Sequence, residues 1–288
     1  MKNRKIKIIF LALGTLTLLL FLSYDYIQYQ KNKNLEVSFI DVGQGDAIFI
    51  KTPQQRKIII DFANKQGLKD LAKKIPWWDK TIDLIIISHP HDDHIVGLIP
   101  IIKKYKIKNI IYNGVLDNSP FYLELLKIIK EKNIPLLVPQ ENQTIELEPN
   151  CKIKFLFPGD RYYQRGLDNL NNSSIVNQLI CQNSIFLFMG DAEAEVENEL
   201  LEQGINLKSD VIKIGHHGSL SSSQEKFLKA VQAKIAIIMV GKNNKYGHPS
   251  LRILKRLEKL QTEIFRTDLN GSITIIDDGK TLKPIFSF

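Results

Sequence analysis

Residues 84–94 read LIIISHPHDDH, a run of four apolar residues followed by three imidazoles and a carboxylate in the pattern H-x-H-x-D-H. With only 6 His in the chain, this pattern arises by chance on the order of 10⁻⁷ times per window, so the risk of a false motif is small. All the histidines fall in three short segments, at 89–94, 216–217 and 248. Histidine is the commonest metal ligand, so this clustering predicts a single metal site.

The spacing within the motif predicts how its ligands divide between two ions. The apolar strand leads into a turn stiffened by a proline, where residues two apart can face the same cation. We therefore expect His89 and His91 to bind a first ion, and Asp93 and His94 to bind a second ion roughly 3.5–4 Å away. A polar turn whose histidines satisfy backbone groups is the alternative. Asp92 is interpreted as a charge at a helix N-terminus.

The N-terminus differs in composition from the rest of the chain. With 288 residues, 44% of them hydrophobic, the chain can form one large domain, residues 35–288, after a separate segment, residues 1–34. That segment has an uncharged run, Ile8–Tyr24, preceded by four basic residues: Lys2, Arg4, Lys5 and Lys7. This order predicts one transmembrane helix that begins in the cytoplasm, with the large domain outside the cell membrane. A cleaved signal peptide, which would leave the domain secreted, and a buried core helix are the alternatives.

Most of the positive charge lies in the N-terminal segment. Residues 1–34 hold six Lys or Arg against one Asp and contribute +5 of the net charge of +8, which leaves +3 for residues 35–288. That remainder argues neither for nor against a polyanionic substrate. A solvated helix face is the simpler interpretation of one basic stripe, formed by Arg252, Lys255, Arg256 and Lys259.

The two cysteines, Cys151 and Cys181, match no zinc-binding spacing. A disulfide between them is open outside the cell. Cys181 lies at the end of an apolar strand, so a core position is its simpler interpretation.

From residue 35 onward, short β-rich segments alternate with amphipathic helices. Strands are predicted at 36–40, 47–51, 57–61, 84–88, 109–112, 152–157, 175–181, 184–189, 211–214, 235–240 and 272–276. Helices are predicted to start near Gly67, His94, Pro120, Ala192, Ser223 and Ser250. The segments 43–46 and 182–183 are typical of hairpin turns. The two halves follow the same order of elements, which predicts an α/β (α+β) fold with two sheets packed face to face and helices on both outer surfaces.

The second half of the domain offers further candidate ligands. An apolar strand ends in Gly190 and Asp191, a carboxylate that can bridge two cations or, alternatively, cap a helix. The strand at 211–214 leads to His216 and His217, and then to a Gly-Ser turn whose backbone and hydroxyl donors suit a phosphate. His248 could donate to an anionic substrate or cap the next helix.

Taken together, these segments resemble the metallo-β-lactamase superfamily and, within it, the hydrolase domain of ComEC-type competence proteins. The matching segments are FIDVGQGDAIFI at 39–50, IIID at 58–61, SHPHDDHIVGL at 88–98, NNSSIV at 171–176, FLFMGDAE at 186–193, VIKIGHHGS at 211–219, YGHPS at 246–250 and TDLNGSI at 267–273. The resemblance implies a four-layer αββα sandwich with a dinuclear metal site, usually zinc and sometimes manganese. By position it implies a structural acid, Asp61, and a set of ligands: His89, His91, Asp93, His94, the bridging Asp191, and the His216–His217 pair.

Three features depart from the family pattern. ComEC-type proteins tend to have Asp at the position of His91, so this site is closer to the general superfamily pattern and favours zinc. The superfamily histidine between the motif and Asp191 is missing, and Asn171 or Asn172 stands nearest. ComEC proteins have many membrane spans for DNA transport, whereas this sequence has one candidate span.

Two divalent ions would lower the pKa of a water that bridges them, which makes hydroxide available near neutral pH. We therefore expect a metal-dependent hydrolase that cleaves an extracellular phosphodiester, and the resemblance favours DNA. The expected catalytic residues are Asp93, His216 and His248, and the expected substrate-binding residues are Ser219, Asn171 and Asn172. Similarity to the phosphorylcholine esterases of the superfamily favours His217 as the ligand and His216 as the substrate-side acid.

Three other functions stay open at this stage. A phosphodiesterase that acts on phosphorylcholine or teichoic acid in the cell wall is the nearest, and a β-lactamase or lactonase is a more distant one. A membrane-tethered module that binds metal without turnover belongs to a different class. The intact carboxylates of Asp93 and Asp191 argue against such a module. The sequence predicts no particular protein partner.

Overall fold

The computed structural model describes the backbone of residues 2–287 and the side chains of residues 7–24, 26, 27 and 29–287. The N-terminal segment forms one helix, α1 (Lys2–Lys31). Within it, Lys7–Lys31 is long and apolar enough to cross a membrane, and its apolar stretch is not buried against the rest of the chain. The side chains of Lys2, Arg4 and Lys5 lie outside the described residues. A helix of this kind fits a membrane-anchored protein, and a signal sequence has the same features.

The rest of the described chain alternates strands and helices. The strands are β1 (Leu35–Phe39), β2 (Ala47–Lys51), β3 (Lys57–Phe62), β4 (Thr81–Ile86), β5 (Lys106–Ile111), β6 (Leu136–Leu137), β7 (Thr144–Glu148), β8 (Cys151–Phe157), β9 (Val176–Cys181), β10 (Ser184–Phe188), β11 (Val211–Lys213), β12 (Ile235–Ile238), β13 (Glu263–Arg266), β14 (Ser272–Asp277) and β15 (Leu282–Ser287). The helices after α1 are α2 (Leu68–Lys74), α3 (Asp92–Ile95), α4 (Leu98–Lys104), α5 (Pro120–Glu131), α6 (Ala194–Glu202), α7 (Glu225–Val231), α8 (Leu251–Lys259) and α9 (Thr267–Asn270).

These strands form two mixed sheets. The first has the spatial order β15-β14-β1-β2-β3-β4-β5-β6, and the second has the order β13-β12-β11-β10-β9-β8-β7. In each sheet the hairpins pair antiparallel, as predicted for β1 with β2 and for β9 with β10. The strands from β3 to β6 and from β10 to β13 run parallel and are connected through helices. Each sheet thus has a parallel half whose carboxyl ends share one edge.

The core has three parts, which correspond to the contacts between four layers. One apolar cluster lies between the sheets, where Phe39 and Phe188 pack with ring centroids 6.3 Å apart. A second cluster packs helices such as α5, through Leu125, onto the first sheet. A third packs helices such as α8, through Leu257, onto the second sheet. The predicted αββα sandwich, preceded by an apolar N-terminal helix, is confirmed.

Two details differ from the sequence prediction. The helix expected near His94 is two helices, α3 and α4, separated at Gly97. The Gly97 N–H donates to the Phe62 carbonyl at 2.7 Å, and a Cβ at this position would lie 2.5 Å from the Phe62 ring. The chain therefore approaches β3 too closely for any larger residue. The pattern also does not predict β6, β7, β13 and β15, which are the edge strands of the two sheets. β6 has only two residues, and most residues of β7 and β15 are not buried, so the apolar signal of these edge strands is weak.

Cys151 and Cys181 lie directly opposite each other in β8 and β9. They form a disulfide, with their Cα atoms 4.0 Å apart. Both residues are also buried in the cluster between the sheets. The disulfide and the core position are therefore compatible interpretations of the same pair.

The basic stripe on α8 divides into two parts. Arg252 and Lys255 are exposed, as a solvated face requires. Arg256 donates to the carbonyl of Ser223 at 2.8 Å, and Lys259 pairs with Glu225 at 2.9 Å. The second part therefore ties α8 to the beginning of α7.

Candidate metal centre

Strands from both sheets bring candidate ligands to one edge of the sandwich. Asp61 lies at the end of β3, and the H-x-H-x-D-H motif follows β4. In the other sheet, Asp191 follows β10 and His217 follows β11. Because β3 and β4 are parallel neighbours, as are β10 and β11, their carboxyl ends open side by side.

The ligand atoms of these residues converge. His89, His94 and Asp191 place one ligand atom each within 4.8 Å of one another, and so do Asp93, His94 and His217. The Nε2 atoms of His94 and His217 each lie 3.3 Å from Asp191 Oδ2. His217 Nε2 also lies 3.6 Å from Asp93 Oδ2. Asp191 therefore stands between the two imidazoles, as a bridging ligand would.

Three atoms in this group are buried without a hydrogen-bond partner among the described residues: His94 Nε2, His217 Nε2 and Asp191 Oδ1. The Nε2 atoms of His94 and His217 lie 3.3 Å from Asp191 Oδ2, but these contacts do not have the angles of a hydrogen bond. Buried polar atoms are rarely left unpaired, because the lost solvation costs free energy. Imidazole nitrogens and carboxylate oxygens form the donor set of zinc and similar divalent ions. The residues present therefore fit a divalent metal ion.

Neighbouring groups orient the imidazole rings. Asp61 Oδ2 accepts a hydrogen bond from His94 Nδ1 at 2.9 Å, and the Met239 carbonyl accepts one from His217 Nδ1 at 2.8 Å. Ser88 donates its N–H to Asp61 at 2.7 Å, and its Oγ lies 3.0 Å from His89 Nδ1. These contacts occupy Nδ1 of each ring and leave Nε2 of His94 and His217 directed at the ligand group, whereas Nε2 of His89 lies 3.0 Å from His91 Nδ1. This is the usual arrangement around metal-binding histidines.

Without metal, the carboxylates and the imidazoles of the candidate ligand group compensate each other's charge. Burial opposes a charged His94, but the carboxylates of Asp191 and Asp61 outweigh it and raise the pKa of His94 well above its usual value. For His217, burial also opposes protonation, and Asp191 and Asp93 raise the pKa to about 9. Burial, with a smaller effect of His94, holds the pKa of His89 well below its usual value. Metal binding at neutral pH must therefore displace protons from His94 and His217.

A sequence profile described as the metallo-beta-lactamase superfamily matches residues 40–148, a range that includes the histidine motif. Residues 40–148 therefore resemble the metallo-beta-lactamase superfamily. The two-sheet fold described above agrees with this match. The expected resemblance to the superfamily is therefore confirmed.

The proteins to which this chain is similar include competence proteins. ComE operon protein 3 of Bacillus subtilis is 31% identical over 256 residues, which cover 83% of this chain and 32% of that protein. Competence protein ComA of Neisseria gonorrhoeae is 26% identical over 250 residues, which cover 82% of this chain and 31% of that protein. The chain thus spans about a third of the length of these relatives. The resemblance to competence proteins is confirmed.

Among solved structures, the metallo-beta-lactamase fold protein YhfI of Bacillus subtilis superposes with a TM-score of 0.53 at 11% identity. The superposition covers 81% of this chain and 95% of YhfI. At this identity the likeness shows the fold alone.

Beside the candidate ligands lies a buried ion pair that the sequence interpretation missed. Lys213 of β11 is fully buried and pairs with the carboxylate of Asp46. Its Nζ donates to the Gly190 carbonyl at 2.8 Å and lies 3.6 Å from Asp191 Oδ1. Burial alone would lower the pKa of Lys213, but Asp46 and Asp191 raise it. A buried cation thus supports the bridging carboxylate from behind.

Both members of this pair have a signal in the sequence. Lys213 is a charged residue within an apolar strand, where an unpaired charge would be costly. Asp46 follows the Gly-Gln-Gly segment, whose glycines could be explained by a hairpin turn alone. However, a Cβ at Gly45 would lie 2.2 Å from the Asp93 carbonyl, and Asp46 N–H donates to that carbonyl at 3.2 Å. The glycine therefore permits close packing against the ligand motif as well as a turn.

A cavity of about 190 Å³ opens beside the ligand group. It is lined by Gln44, His91, Asp93, Asn171, Asp191, His216, His217, Tyr246 and His248. His216 Nδ1 lies 2.9 Å from Glu193 Oε1 and 3.0 Å from Ser221 Oγ. Its ring centroid is 5.6 Å from that of His248, which stacks on Tyr246 at 5.8 Å. His216 and His248 therefore lie on the cavity side, whereas His217 is buried among the candidate ligands where they border the cavity.

Of the other predicted site residues, some lie at the cavity and others do not. His91 Nδ1 lies 3.0 Å from His89 Nε2 at the cavity wall, outside the two converging groups of ligand atoms. Asn171 reaches the cavity, and its Oδ1 is buried without a partner among the described residues. Asn172 instead bonds to Glu195 at 2.6 Å. Ser219 Oγ bonds to a neighbouring serine within its own turn. Neither Asn172 nor Ser219 lines the cavity, so in this arrangement both support the surrounding loops.

Asp61→Asn is expected to weaken metal binding about 10- to 100-fold, the usual effect of losing a group that orients a metal-binding histidine. The carboxylate accepts from His94 and from Ser88, and an amide cannot accept both bonds with the same strength. Competition titration with a chromogenic chelator measures the affinity. Glu124→Gln, which removes an exposed carboxylate paired with Lys103, is the control. Equal affinity in wild type and Asp61→Asn would contradict the orienting role.

Proposed function

We propose that this protein is an extracytoplasmic, metal-dependent phosphodiesterase or nuclease that holds two divalent ions, preferably zinc, with manganese as the other candidate. The observation that carries the proposal is the cluster of unpaired ligand atoms around Asp191, with a second set of imidazoles beside it on the cavity wall. The first set fits metal binding, and the second can transfer protons. A hydrolytic centre needs both.

The cavity suits an anionic substrate. Apart from the candidate ligands Asp93 and Asp191, its wall offers amides and imidazoles, including Gln44, Asn171 and His248. Lys245 lies over the ring of Tyr246, which lines the cavity, with its Nζ 5.3 Å from the ring centroid. These groups favour a phosphodiester over a neutral ester or lactam. The relatedness to proteins named for competence makes DNA the first substrate to test.

The residues of the chain would divide the work as follows. His89, His94, Asp93, Asp191 and His217 would hold the ions, with His91 beside them at the cavity wall. When bound, such ions would activate water and neutralise the charge that develops on a phosphoryl group. Glu193 would orient His216 through its Nδ1, and Nε2, which lies 3.3 Å from Asn171 Nδ2, would protonate the leaving group. His248 and Asn171 would contact the phosphate.

The decisive experiment assays the purified full chain on several substrates after metal content is measured. We expect turnover of bis-p-nitrophenyl phosphate and cleavage of linear DNA, both abolished by a chelator and restored by zinc or manganese. Turnover of p-nitrophenyl phosphorylcholine without DNA cleavage would favour a cell-wall phosphodiesterase. Hydrolysis of a β-lactam or a lactone alone would contradict the proposal. Bound metal without any turnover would indicate a binding module.

We further propose that residues 1–34 anchor the chain by a single membrane span and that residues 35–288 form the catalytic domain outside the cytoplasmic membrane. The apolar helix α1 and the relatedness to competence proteins support membrane attachment. The orientation rests on the basic residues that precede the apolar run.

A reporter fused after Phe288 tests this orientation. Alkaline phosphatase, which is active only outside the cytoplasm, is expected to be active in the fusion, whereas a fluorescent protein that folds only in the cytoplasm should stay dark. Exchanging the four basic residues before Ile8 for neutral ones should weaken this preference, because positive charge retains the flanking segment in the cytoplasm. A fluorescent wild-type fusion together with an inactive phosphatase fusion would place the C-terminus in the cytoplasm and contradict the proposed anchor orientation.

A further inference from the structure

A pair of tryptophans lies on the domain surface beside the end of α1. Trp77 is 66% exposed and Trp78 is 36% exposed, and they are the only 2 Trp of the sequence. Their rings pack edge to face, with centroids 5.7 Å apart. Large exposed aromatic side chains are uncommon on a soluble surface and mark sites of interaction.

The turn that presents them is well supported. Asp79 N–H donates to the Pro76 carbonyl at 2.9 Å, and Asp79 Oδ1 accepts from Thr81 N–H at 3.0 Å. The other oxygen of Asp79 pairs with the buried Lys57 at 2.5 Å. The ion pair and the turn connect these residues to the ends of β3 and β4. The exposure of the tryptophans is therefore a property of a supported turn.

The turn also contacts the helix that fits a membrane span. The ring of Trp78 lies 6.5 Å from that of Tyr26 and 6.3 Å from that of Tyr29, between ring centroids. These tyrosines follow the end of the uncharged run at Tyr24 by about 3 and 8 Å along the helix axis, at 1.5 Å per residue. The interfacial layer on each side of the hydrocarbon core is about 5–8 Å thick. Trp78 therefore lies at the level of the lipid headgroups if α1 spans the bilayer.

The residue types around Trp78 are those found at the level of the lipid headgroups. Tryptophan and tyrosine are enriched at membrane interfaces, where one end of the ring system is apolar and the other is hydrated. Lys31, Lys33 and Lys80 are exposed near this surface, and lysines there would attract anionic headgroups.

The geometry points to a membrane-docking surface, formed by the exposed side chains of Trp77, Trp78 and Tyr26, which holds the catalytic domain against the headgroup layer of the bilayer that α1 crosses. This inference depends on the membrane span and not on the hydrolytic activity. It also orients the metal centre. The turn precedes β4 and the histidine motif follows it, so about 20 Å of strand, at 3.3 Å per residue, separates the two. The metal centre opens at the end of the sheet away from the docking surface.

Tryptophan fluorescence tests the inference directly, because both tryptophans belong to the proposed surface. The full chain is reconstituted in nanodiscs of phosphatidylcholine and phosphatidylglycerol, with or without phosphatidylcholine brominated near the top of its acyl chains. Trp78→Phe reports on Trp77, and Trp77→Phe reports on Trp78. The control variant carries Trp77→Phe, Trp78→Phe and Leu251→Trp, since Leu251 is 74% exposed at the metal-centre end.

We expect brominated lipid to quench Trp77 and Trp78 severalfold more than the tryptophan at position 251, and aqueous acrylamide to give the reverse order. Acrylamide quenching of Trp77 equal to that of the control, without quenching by bromolipid, would overturn the inference. Protection from both quenchers would also overturn it, and would indicate that a protein surface covers the turn. Flotation of the nanodiscs separates the causes, because absence of the chain from the lipid fraction overturns the membrane span itself.

Discussion

Asp191→Ala is expected to release most of the bound metal and to reduce phosphodiester hydrolysis to the background rate. The wild-type chain should hold close to two transition-metal ions. Asp191 lies 3.3 Å from both His94 and His217, so its loss removes the carboxylate that stands between these two imidazoles. The buried Lys213 would keep its ion pair with Asp46 but lose its second carboxylate neighbour, and weaker compensation of a buried charge is destabilising.

Elemental analysis of the purified chain, together with bis-p-nitrophenyl phosphate turnover, measures both effects. His89→Ala should act in the same direction, because His89 belongs to the converging group with Asp191. Glu131→Ala is a suitable control, since Glu131 is exposed and its ion pair with Lys127 is long, at 3.9 Å. Because Asp191→Ala could also unfold the domain, Asp191→Asn, which keeps the side-chain volume, is measured beside it with circular dichroism. Full metal loading in folded variants would contradict the site.

His217→Ala and His216→Ala are expected to separate metal binding from proton transfer. His217 is 2% exposed and faces Asp191 and Asp93 through Nε2, so its replacement should remove metal. His216 lines the cavity and bonds to Glu193. Its replacement should keep metal and lower turnover about 10²- to 10⁴-fold, the usual contribution of a general acid.

The leaving group provides the second readout. A substrate with a good leaving group, such as p-nitrophenolate, needs little protonation, so His216→Ala should spare it more than DNA. Tyr163→Ala, which alters a half-exposed aromatic that does not line the cavity, serves as the control. Metal loss in His216→Ala with retention in His217→Ala would reverse the assignment. Metal loss in both would mean that the two residues act as one unit.

The sequence by itself determined the fold class and the segments that carry the candidate metal ligands. Most candidate ligands can be recognised from neighbouring residues alone. The motif after β4, the acid after β10 and the histidine pair after β11 each follow directly on an apolar strand. A strand end is recognisable from a few neighbouring residues, because its apolar run stops where the backbone reaches the surface. The same reasoning fails for the edge strands β6, β7, β13 and β15, whose stability depends on a single neighbouring strand.

Only the tertiary structure decided which groups meet. The histidine pair could not be divided by counting residues. In the structure β11 ends at Lys213, and both histidines then adopt positive φ angles of 46° and 54°, so a left-handed turn, not strand alternation, directs one ring inward and the other to the cavity. Asp46 and Lys213, far apart in sequence, pair beneath Asp191. Trp78 meets α1 in the same way. Such contacts depend on the packing of distant segments, since a buried charge or an exposed ring acquires its partner only when the sheets and helices assemble.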